Sequence, residues 1–548
     1  MALSGAIWIG GILSGLRLTE YPLTLRPPGG LAKPMGIWEL SAPDQSFSLR
    51  RSPFARRFRI SRLPFSGGIG RFLLFPVLFS ASRDREKEFS YFLRQIGETI
   101  AMSLLTKAPR GTQDALPADT GKWRHIEKTA LETAALRGFR EIRIPTFEHT
   151  ELFSRGVGDT TDVVQKEMYT FEDKGGRSIT LRPEGTAGVV RSVIENSLLA
   201  GPLPLRVCYL VSCFRYEKPQ AGRLREFHQF GAEMFGSASP AADVELISMA
   251  ADLFRILGID GLTLKLNSIG CPTCRKEYHA ALKAYFSAHT EELCGTCMTR
   301  LEKNPMRILD CKSPICSEIA AKAPVITDYL CDECREHFEG VKGMLTDLGQ
   351  PFVVDPTIVR GLDYYTKTVF EFVCDRIGAQ GTVCGGGRYD GLVAQLGGPE
   401  TPALGFAMGL ERLLLTMDAC NCPFPEDKKC DLYIAPLGAA AARKASTLAE
   451  ELRREGFSVE TDVMGRSLKA QMKYADKLGA SMTLVLGEDE LARNCANLKN
   501  MSTGETREVS LGADLVSAIY DVSISDVIGK ISDSFEGADL KSLFGMEL

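Results

Sequence analysis

Arginines and tyrosines in a few short peptides carry the chemistry this chain could do. In FRYEKPQAGRLREFHQFGAEMFG, residues 214–236, Arg215, Lys218, Arg223 and Arg225 crowd one segment, with Glu217 and Glu226 between them. Two β-forming runs joined by this polar loop read as an antiparallel hairpin. An arginine at the foot and others at the tip suit a polyphosphate, because guanidinium groups bind phosphate oxygens bidentately and keep their charge. A solvated charged hairpin is the plainer alternative. Along the second run, alternation sets Phe227, Gln229, Gly231 and Glu233 on one face and His228 and Phe230 on the other.

In RGLDYYTKTVF, 360–370, Arg360, Tyr364 and Tyr365 stand at the mouth of a β-branched and aromatic strand. Such a mouth suits a pocket, though two tyrosines straddling a sheet edge beside a solvated arginine would produce the same letters. GFAMGLERLLL, 405–415, reads as an apolar helix bearing Glu411 and Arg412, and a helix can simply expose one arginine. TLRPEGT, 180–186, ends a strand at Pro183 and opens a helix at Gly185 and Thr186. Glu184 at that junction either caps the helix or meets a cationic group of a ligand.

These peptides need a sheet to hold them. Periodicity predicts a helix over 121–137 stopped near Gly138, a strand in REIRIPTF, strand then helix over 178–198, the hairpin, a helix over 240–257 and a strand in LTLKLNSI. The sheet resumes at 352, continues through TVCGGGRYDGL and closes on the helix of GFAMGLERLLLTM. From 430 onward strand, helix, strand, helix and strand alternate, which predicts a separate α/β domain with a parallel or mixed sheet. At 548 residues the chain is too long for one core. The expected organisation is an extension at 1–102, a first sheet-bearing part at 103–270, a Cys-rich helical insert at 271–345, a second sheet-bearing part at 346–420, a linker at 421–429, the α/β domain at 430–525 and a tail at 526–548.

A net charge of −4 excludes no partner, since a local basic patch can hide in the sum. One candidate patch is RSLKAQMKYADK, where Arg466, Lys469, Lys473 and Lys477 recur at three and four, as phosphate binding wants; a solvated amphipathic helix is the alternative. Sixteen cysteines in a long chain, partly in C-x-x-C pairs, point to a reduced, cytoplasmic setting. Within the insert, Cys271 and Cys274, Cys294 and Cys297, and Cys331 and Cys334 form three such pairs, with Cys311 and Cys316 between. The first two pairs are spaced as in a zinc ribbon, so the six pair residues are candidate ligands; buried reduced thiols are the rival. The first hundred residues are rich in Arg, Ser and Phe in their middle and poor in acids. A transit-type peptide fits, a secretory signal fits poorly, and the preferred expectation is that Met102 is the natural start. The apolar run at 72–79 is too short to span a bilayer.

Together the peptides resemble a class II aminoacyl-tRNA synthetase: FRYE to FHQFGAEMFG is similar to its second signature motif and GFAMGLERLLL to its third. RGLDYYTKTVFEF and CGGGRYDGL resemble the two signature peptides of the histidyl-tRNA synthetase family, and the likeness runs from about Ser103 to about 525. The resemblance implies an α+β catalytic domain with a six-stranded antiparallel sheet flanked by helices, a C-terminal anticodon-binding domain, and a homodimer formed partly through 121–150. It implies that Glu184, Gly185, Thr186, Gln229, Glu233, Tyr364 and Tyr365 surround L-histidine, with Glu233 and Tyr365 facing the imidazole. It further implies that Arg215 holds the α-phosphate and the substrate carboxylate, that Arg223 and Arg412 meet the outer phosphates of ATP, that Arg360 is the catalytic cation, and that Gln220 and Arg225 lie near the end of the tRNA. Magnesium would accompany pyrophosphate, and zinc is not part of the family's general description. The residue types suit the reaction on their own terms, since a carboxylate attacking phosphorus needs fixed positive charge and no general base. The runner-up is a non-catalytic paralogue, the regulatory subunit of ATP phosphoribosyltransferase, which generally lacks the anticodon domain and has decayed motifs. Here both are intact.

Overall fold

The computed structural model describes residues 107–524 apart from 159, 160, 162, 312, 379, 380, 426–429, 513 and 523, together with three strands nearer the N-terminus. Those strands, Arg17–Leu23, Met35–Ser41 and Phe72–Leu73, pair antiparallel in that order. The remainder of the first hundred residues, the start at Met102 and the tail at 526–548 lie outside the described residues.

The long alternating runs pair into one eight-stranded sheet. Its order is Val353–Val354, Leu262–Ser268, Thr366–Cys374, Thr382–Arg388, Ala403–Gly409, Glu226–Phe235, Leu205–Phe214 and Arg140–Glu141. The six inner strands are antiparallel, as the resemblance implied, and a two-residue strand is added in parallel at each edge. REIRIPTF is therefore not one strand: Arg140–Glu141 joins this sheet, while Phe147–His149 pairs with Ser178–Leu181 in a smaller one.

GFAMG also departs from expectation. Ala403–Gly409 is a central strand, and the helix begins only at Leu410. The strand is almost wholly buried, so its apolar run has no alternation to distinguish it from a buried helix.

One face of the sheet packs under the helices Thr120–Ala135, Pro240–Ile256, Asp332–Asp347 and Leu410–Ala419, with Phe230, Met234, Leu266, Phe370 and Phe406 in the seam. Arg388, wholly buried, ties this layer together. It donates to Asp243 at 2.7 and 2.9 Å, to His337 Nε2 at 3.2 Å and to the carbonyls of Ser237 and Ser239. The opposite face carries Tyr209, Cys213, Val369 and Tyr389 beneath the helix Thr186–Glu195 and the Cys-rich insert. That insert is helical, with Pro272–Ser287, Gly295–Lys303 and Pro314–Ala320 preceding Asp332–Asp347.

The C-terminal domain has a mixed sheet ordered Val459–Thr461, Leu432–Pro436, Met482–Leu486, Cys495–Asn500 and Thr506–Ser510, the first three strands parallel. The helix Ala439–Arg454 covers one face and Leu468–Leu478 the other. The last two strands have no counterpart in the sequence reading; their polar, short runs carry little hydrophobic signal.

Candidate active site

The face opposite the helical layer opens into a cavity of ≈ 420 Å³ whose two ends differ in chemistry. At the inner end the hairpin strand Glu226–Phe235 carries Glu233, wholly buried. Its carboxylate accepts from Thr186 Oγ1 at 2.8 Å, Tyr209 OH at 3.0 Å and Tyr389 OH at 2.5 Å. Burial pushes this acid up to about 8 against the pull of the three hydroxyls. Gly405, paired with Glu233 across the sheet, has no side chain because a Cβ there would collide with Oε2 of that carboxylate. Tyr364 and Tyr365 close this end, 8 % and 6 % exposed, with rings 4.7 Å apart and Tyr389 5.6 Å from Tyr364. Gln229 lines the wall, its Oε1 3.3 Å from Cys213 Sγ.

Glu184 caps the helix. Its two oxygens accept from the N–H groups of Thr186 at 2.7 Å and Ala187 at 2.8 Å, at the start of Thr186–Glu195, with Gly185 at the N-cap. It also lines the cavity, and burial raises its pKa despite those bonds.

The outer end is cationic. Arg215 and Arg223 come from the hairpin, Arg360 from the peptide before Thr366–Cys374, and Arg412 from the first turn of Leu410–Ala419; all four line the cavity. Each has a fixed posture. Arg215 donates to Pro183 O at 2.8 Å and lies over Phe227. Arg223 pairs with Glu217. Arg412 is not an exposed helix arginine: it donates to Thr382 O at 2.7 Å. Burial lowers the pKa of both Arg223 and Arg412, and a neighbouring like charge, Arg215 for the first and Arg223 for the second, lowers each further. Positive charge so concentrated calls for an anion.

Arg360 pairs with Glu371, whose other oxygen accepts from Thr382 Oγ1 at 2.8 Å. Burial would lower its pKa, but Glu371 and Tyr365 hold it up. The guanidinium lies where a Cβ on Gly385 would be, and its buried Nε has no hydrogen-bond partner among the described residues.

Some expected site residues do not reach the cavity. Gln220 is exposed in the hairpin turn, bridged by backbone bonds to Arg223. Arg225 stacks 3.9 Å over the Tyr216 ring and donates to Glu217 O. Neither is itself a lining residue, though each is bonded to one, and their place beside the outer hairpin is where the end of the tRNA is expected. In the C-terminal domain Arg466 is not on the positive helix face. The helix starts at Leu468, and Arg466 is held before it by Asp462 and by Tyr474, 4.5 Å below. Lys469, Lys473 and Lys477 are exposed on that helix while Gln471 and Ala475 face inward.

Sequence reasoning missed Tyr209, Tyr389 and Glu371 as groups that hold the named ones, and it named Glu217 and Glu411 without their roles. Tyr389 lies inside the quoted CGGGRYDGL, so its peptide was visible though its role was not. The sequence shows Glu411 only as the neighbour of Arg412. It reaches back to His228, accepting from the backbone N–H at 3.0 Å and contacting ring Nδ1 at 2.8 Å, which raises the histidine's pKa.

The cysteine pairing also needs correction. The first and second C-x-x-C pairs do not come together as a ribbon. Cys271 and Cys274 meet Cys331 and Cys334, while Cys294 and Cys297 meet Cys311 and Cys316, two residues absent from the expected ligand set. The chain leaves and re-enters the catalytic fold at the outer pairs, so they are neighbours in space although most distant in sequence.

A family model described as histidyl-tRNA synthetase matches residues 111–274 and 302–413, and one described as an anticodon binding domain matches 431–532. The chain belongs to the histidyl-tRNA synthetase family. Relatives named histidine–tRNA ligase include that of Acetivibrio thermocellus, 59 % identical over 408 residues, covering 74 % of this chain and 98 % of the relative. That of Caldanaerobacter subterraneus subsp. tengcongensis is 54 % identical over 406 residues, covering 74 % and 97 %. Among solved structures, apo histidyl-tRNA synthetase of S. aureus is 42 % identical with a TM-score of 0.66, covering 76 % of this chain and all of that one. Membership in the family fits the class II catalytic sheet, the anticodon-binding domain and a cavity cationic at one end and aromatic at the other.

Proposed function

We propose that the cavity performs the two half-reactions of a histidine–tRNA ligase, the activity named for the family's relatives. L-histidine and ATP form histidyl-adenylate and pyrophosphate, and histidine then passes to the 3′ end of its tRNA. One observation carries this reading: Glu233 with its hydroxyl partners and four arginines come together in one cavity, meeting where Arg360 lies 5.8 Å from the Tyr365 ring.

Thr186 and Tyr389, which line the cavity, each spend their proton on Glu233, which leaves their hydroxyl lone pairs free to accept from an imidazole N–H, while the wholly buried Tyr209 holds Glu233 from behind. Together with Tyr364, Tyr365, Gln229, Glu184 and Gly185 they form the histidine pocket. A site built of paired donors and acceptors rejects apolar side chains, which would leave its polar groups unmatched. The histidine carboxylate attacks the α-phosphorus; a carbon-bound oxygen joins phosphorus as the bond to the pyrophosphate oxygen breaks. Two anions must meet, and Arg360 and Arg215, already oriented by Glu371 and by Pro183 O, offset the charge without reorganising. Arg223 and Arg412 hold the outer phosphates. In the second step the terminal ribose hydroxyl of the tRNA attacks the acyl carbon and AMP leaves.

Magnesium prefers oxygen ligands and keeps company with phosphates, and Glu411 beside Arg412 is a carboxylate at this end that would share it. Bound there, it would supply charge neutralisation for the departing pyrophosphate. Lys469, Lys473 and Lys477 meet tRNA phosphates. A homodimer through 121–150 would cover the exposed Leu136, 84 % accessible, and Phe147. No helix among the described residues is long and apolar enough to cross a membrane, and a chain rich in free thiols belongs in the reducing cytoplasm. The regulatory-subunit reading is not favoured, because the cavity keeps every arginine and the anticodon-binding domain is present.

The test is ATP–pyrophosphate exchange by the full chain with each amino acid in turn. Exchange with histidine alone supports the assignment; no exchange by folded protein overturns it.

A further inference from the structure

All sixteen cysteines are free, and eight of them, none lining the cavity, gather in two groups of four. Within each group the four sulfurs lie within 4.8 Å of one another. Cys271 Sγ is 3.5 Å from Cys274 Sγ and 4.0 Å from Cys331 Sγ, and Cys294 Sγ is 3.9 Å from Cys311 Sγ. Four thiolates at ~2.3 Å from one tetrahedral ion stand about 3.8 Å apart. The observed spacings bracket that edge. Disulfides need sulfurs about 2.05 Å apart, and a multi-iron cluster needs a wider cage.

The backbone around both groups is arranged for thiolates. Cys331 N–H donates to Cys274 Sγ at 3.1 Å, Cys294 N–H to Cys316 Sγ at 3.3 Å and Ser313 N–H to Cys311 Sγ at 3.5 Å. Donors aimed at sulfur are what orient and stabilise a thiolate ligand; a cysteine used as a small apolar filler does not need them. In each group two cysteines are buried and two partly exposed, so a metal has an entry path.

Both groups also brace the peptide that closes the cavity. Arg275, next to Cys274, donates to Tyr365 O at 3.1 Å, and Glu333, between Cys331 and Cys334, pairs with Lys367 at 2.7 Å. Between Cys297 and Cys311, Arg307 donates to Gly361 O at 2.6 Å and pairs with Asp363. Arg300, Arg307 and Asp310 line the cavity mouth. We propose that the insert binds two structural zinc ions, one at Cys271, Cys274, Cys331 and Cys334 and one at Cys294, Cys297, Cys311 and Cys316, which fix the peptide 360–367 over the cavity. The positioning part rests on the histidine-pocket reading given above; the metal sites do not.

Elemental analysis of the full chain, purified without chelator and measured without substrates, tests the sites. Two equivalents of zinc per chain are expected. Cys274→Ser with Cys334→Ser should leave one, and Cys297→Ser with Cys316→Ser should leave the other. Less than half an equivalent of zinc, or iron in its place, overturns the proposal. Cobalt exchanged into each single-site variant should show sulfur-to-cobalt charge transfer, and its absence would also overturn it. In the variant lacking the first site, the KM for histidine should rise about tenfold with the KM for ATP little changed. An unchanged histidine KM removes the positioning role. Two equivalents of zinc in a chain without pyrophosphate exchange would sink the enzymatic reading and leave the sites standing.

Discussion

The catalytic cavity and the C-terminal domain each present cations to a polyanion, and they hold them in opposite ways. In the cavity the four arginines assigned to the phosphates each have a fixed posture: Arg360 on Glu371, Arg223 on Glu217, Arg215 on Pro183 O and Arg412 on Thr382 O. On the helix Leu468–Leu478 the three lysines are exposed along one face. Fixed, partly buried charge costs desolvation when the protein folds and stabilises a transition state without rearranging. Exposed lysines cost little to keep and attract phosphates over a distance set by the salt. The first arrangement serves chemistry at one atom and the second serves capture of a large ligand. Substitutions in the two regions should therefore fail differently.

Arg360→Ala should break the cavity most severely. Losing one preoriented charge at the reacting phosphorus is worth about 3–4 kcal/mol, so pyrophosphate exchange should fall about a thousandfold with histidine affinity little changed. The variant also strands Glu371, so Arg360→Ala with Glu371→Gln is the control: a double variant restored to near-normal exchange would show that the stranded acid, not the lost cation, was responsible. A near-normal rate in the single variant would refute the role outright.

Glu233 sharpens the comparison through pH. Its acid is held up to about 8 by burial, from an ordinary value of 4.5. The folded state thus binds this proton more tightly than the unfolded one. Its contribution to stability is complete below about pH 4.5 and disappears as pH rises through about 8. Glu233→Gln removes that dependence, so between pH 5 and 8 the parent should lose up to roughly 4 kcal/mol relative to the variant. Denaturant melts at several pH values measure it; parallel pH profiles would mean that the carboxylate is ionised throughout. Histidine binding should weaken in the variant, because the amide cannot order three hydroxyl donors as a carboxylate does.

Tyr365→Phe asks for less. The ring stays within 4.7 Å of Tyr364 and only the hydroxyl is lost, which corresponds to about 1–1.5 kcal/mol, or roughly tenfold in histidine KM. An effect on ATP alone would mean that this tyrosine acts through Arg360, 5.8 Å from its ring, and not on histidine.

The sequence displays the first region better than the groups that make it work. Arg215, Arg360, Arg412, Tyr364 and Tyr365 stand in peptides with distinctive spacing, and all five meet in the cavity. Their partners do not advertise themselves. Tyr209 and Glu371 are ordinary members of strands, and spacing does not show that the register of the hairpin brings Tyr209 to Glu233 or that the peptide before Thr366–Cys374 folds back to set Arg360 against Glu371. Burial hid the strand Ala403–Gly409, because a run apolar on both faces has lost the alternation that marks a strand. Nesting hid the cysteine pairing: spacing along the chain favours consecutive pairs, whereas the insert folds its first pair onto its last. Arg466 was misplaced by helical arithmetic carried two residues past a helix that starts at Leu468.

The lysines provide the mildest test and the clearest contrast. Lys469→Ala, Lys473→Ala and Lys477→Ala together should leave histidine-dependent pyrophosphate exchange unchanged, because they touch nothing in the cavity. Aminoacylation should show a higher KM for tRNA, and the slope of log affinity against log salt should fall by about 2 if the three make phosphate contacts at ~0.7–0.9 each. The single most informative comparison is Arg223→Ala beside this triple variant. Arg223 also carries positive charge on a hairpin, but it is held by Glu217 and lines the cavity, so its loss should lower exchange and leave the tRNA salt slope alone. If Arg223→Ala altered the slope as the lysines do, the outer end of the cavity would be part of the tRNA surface, and the division between fixed charge for chemistry and exposed charge for capture would fail there.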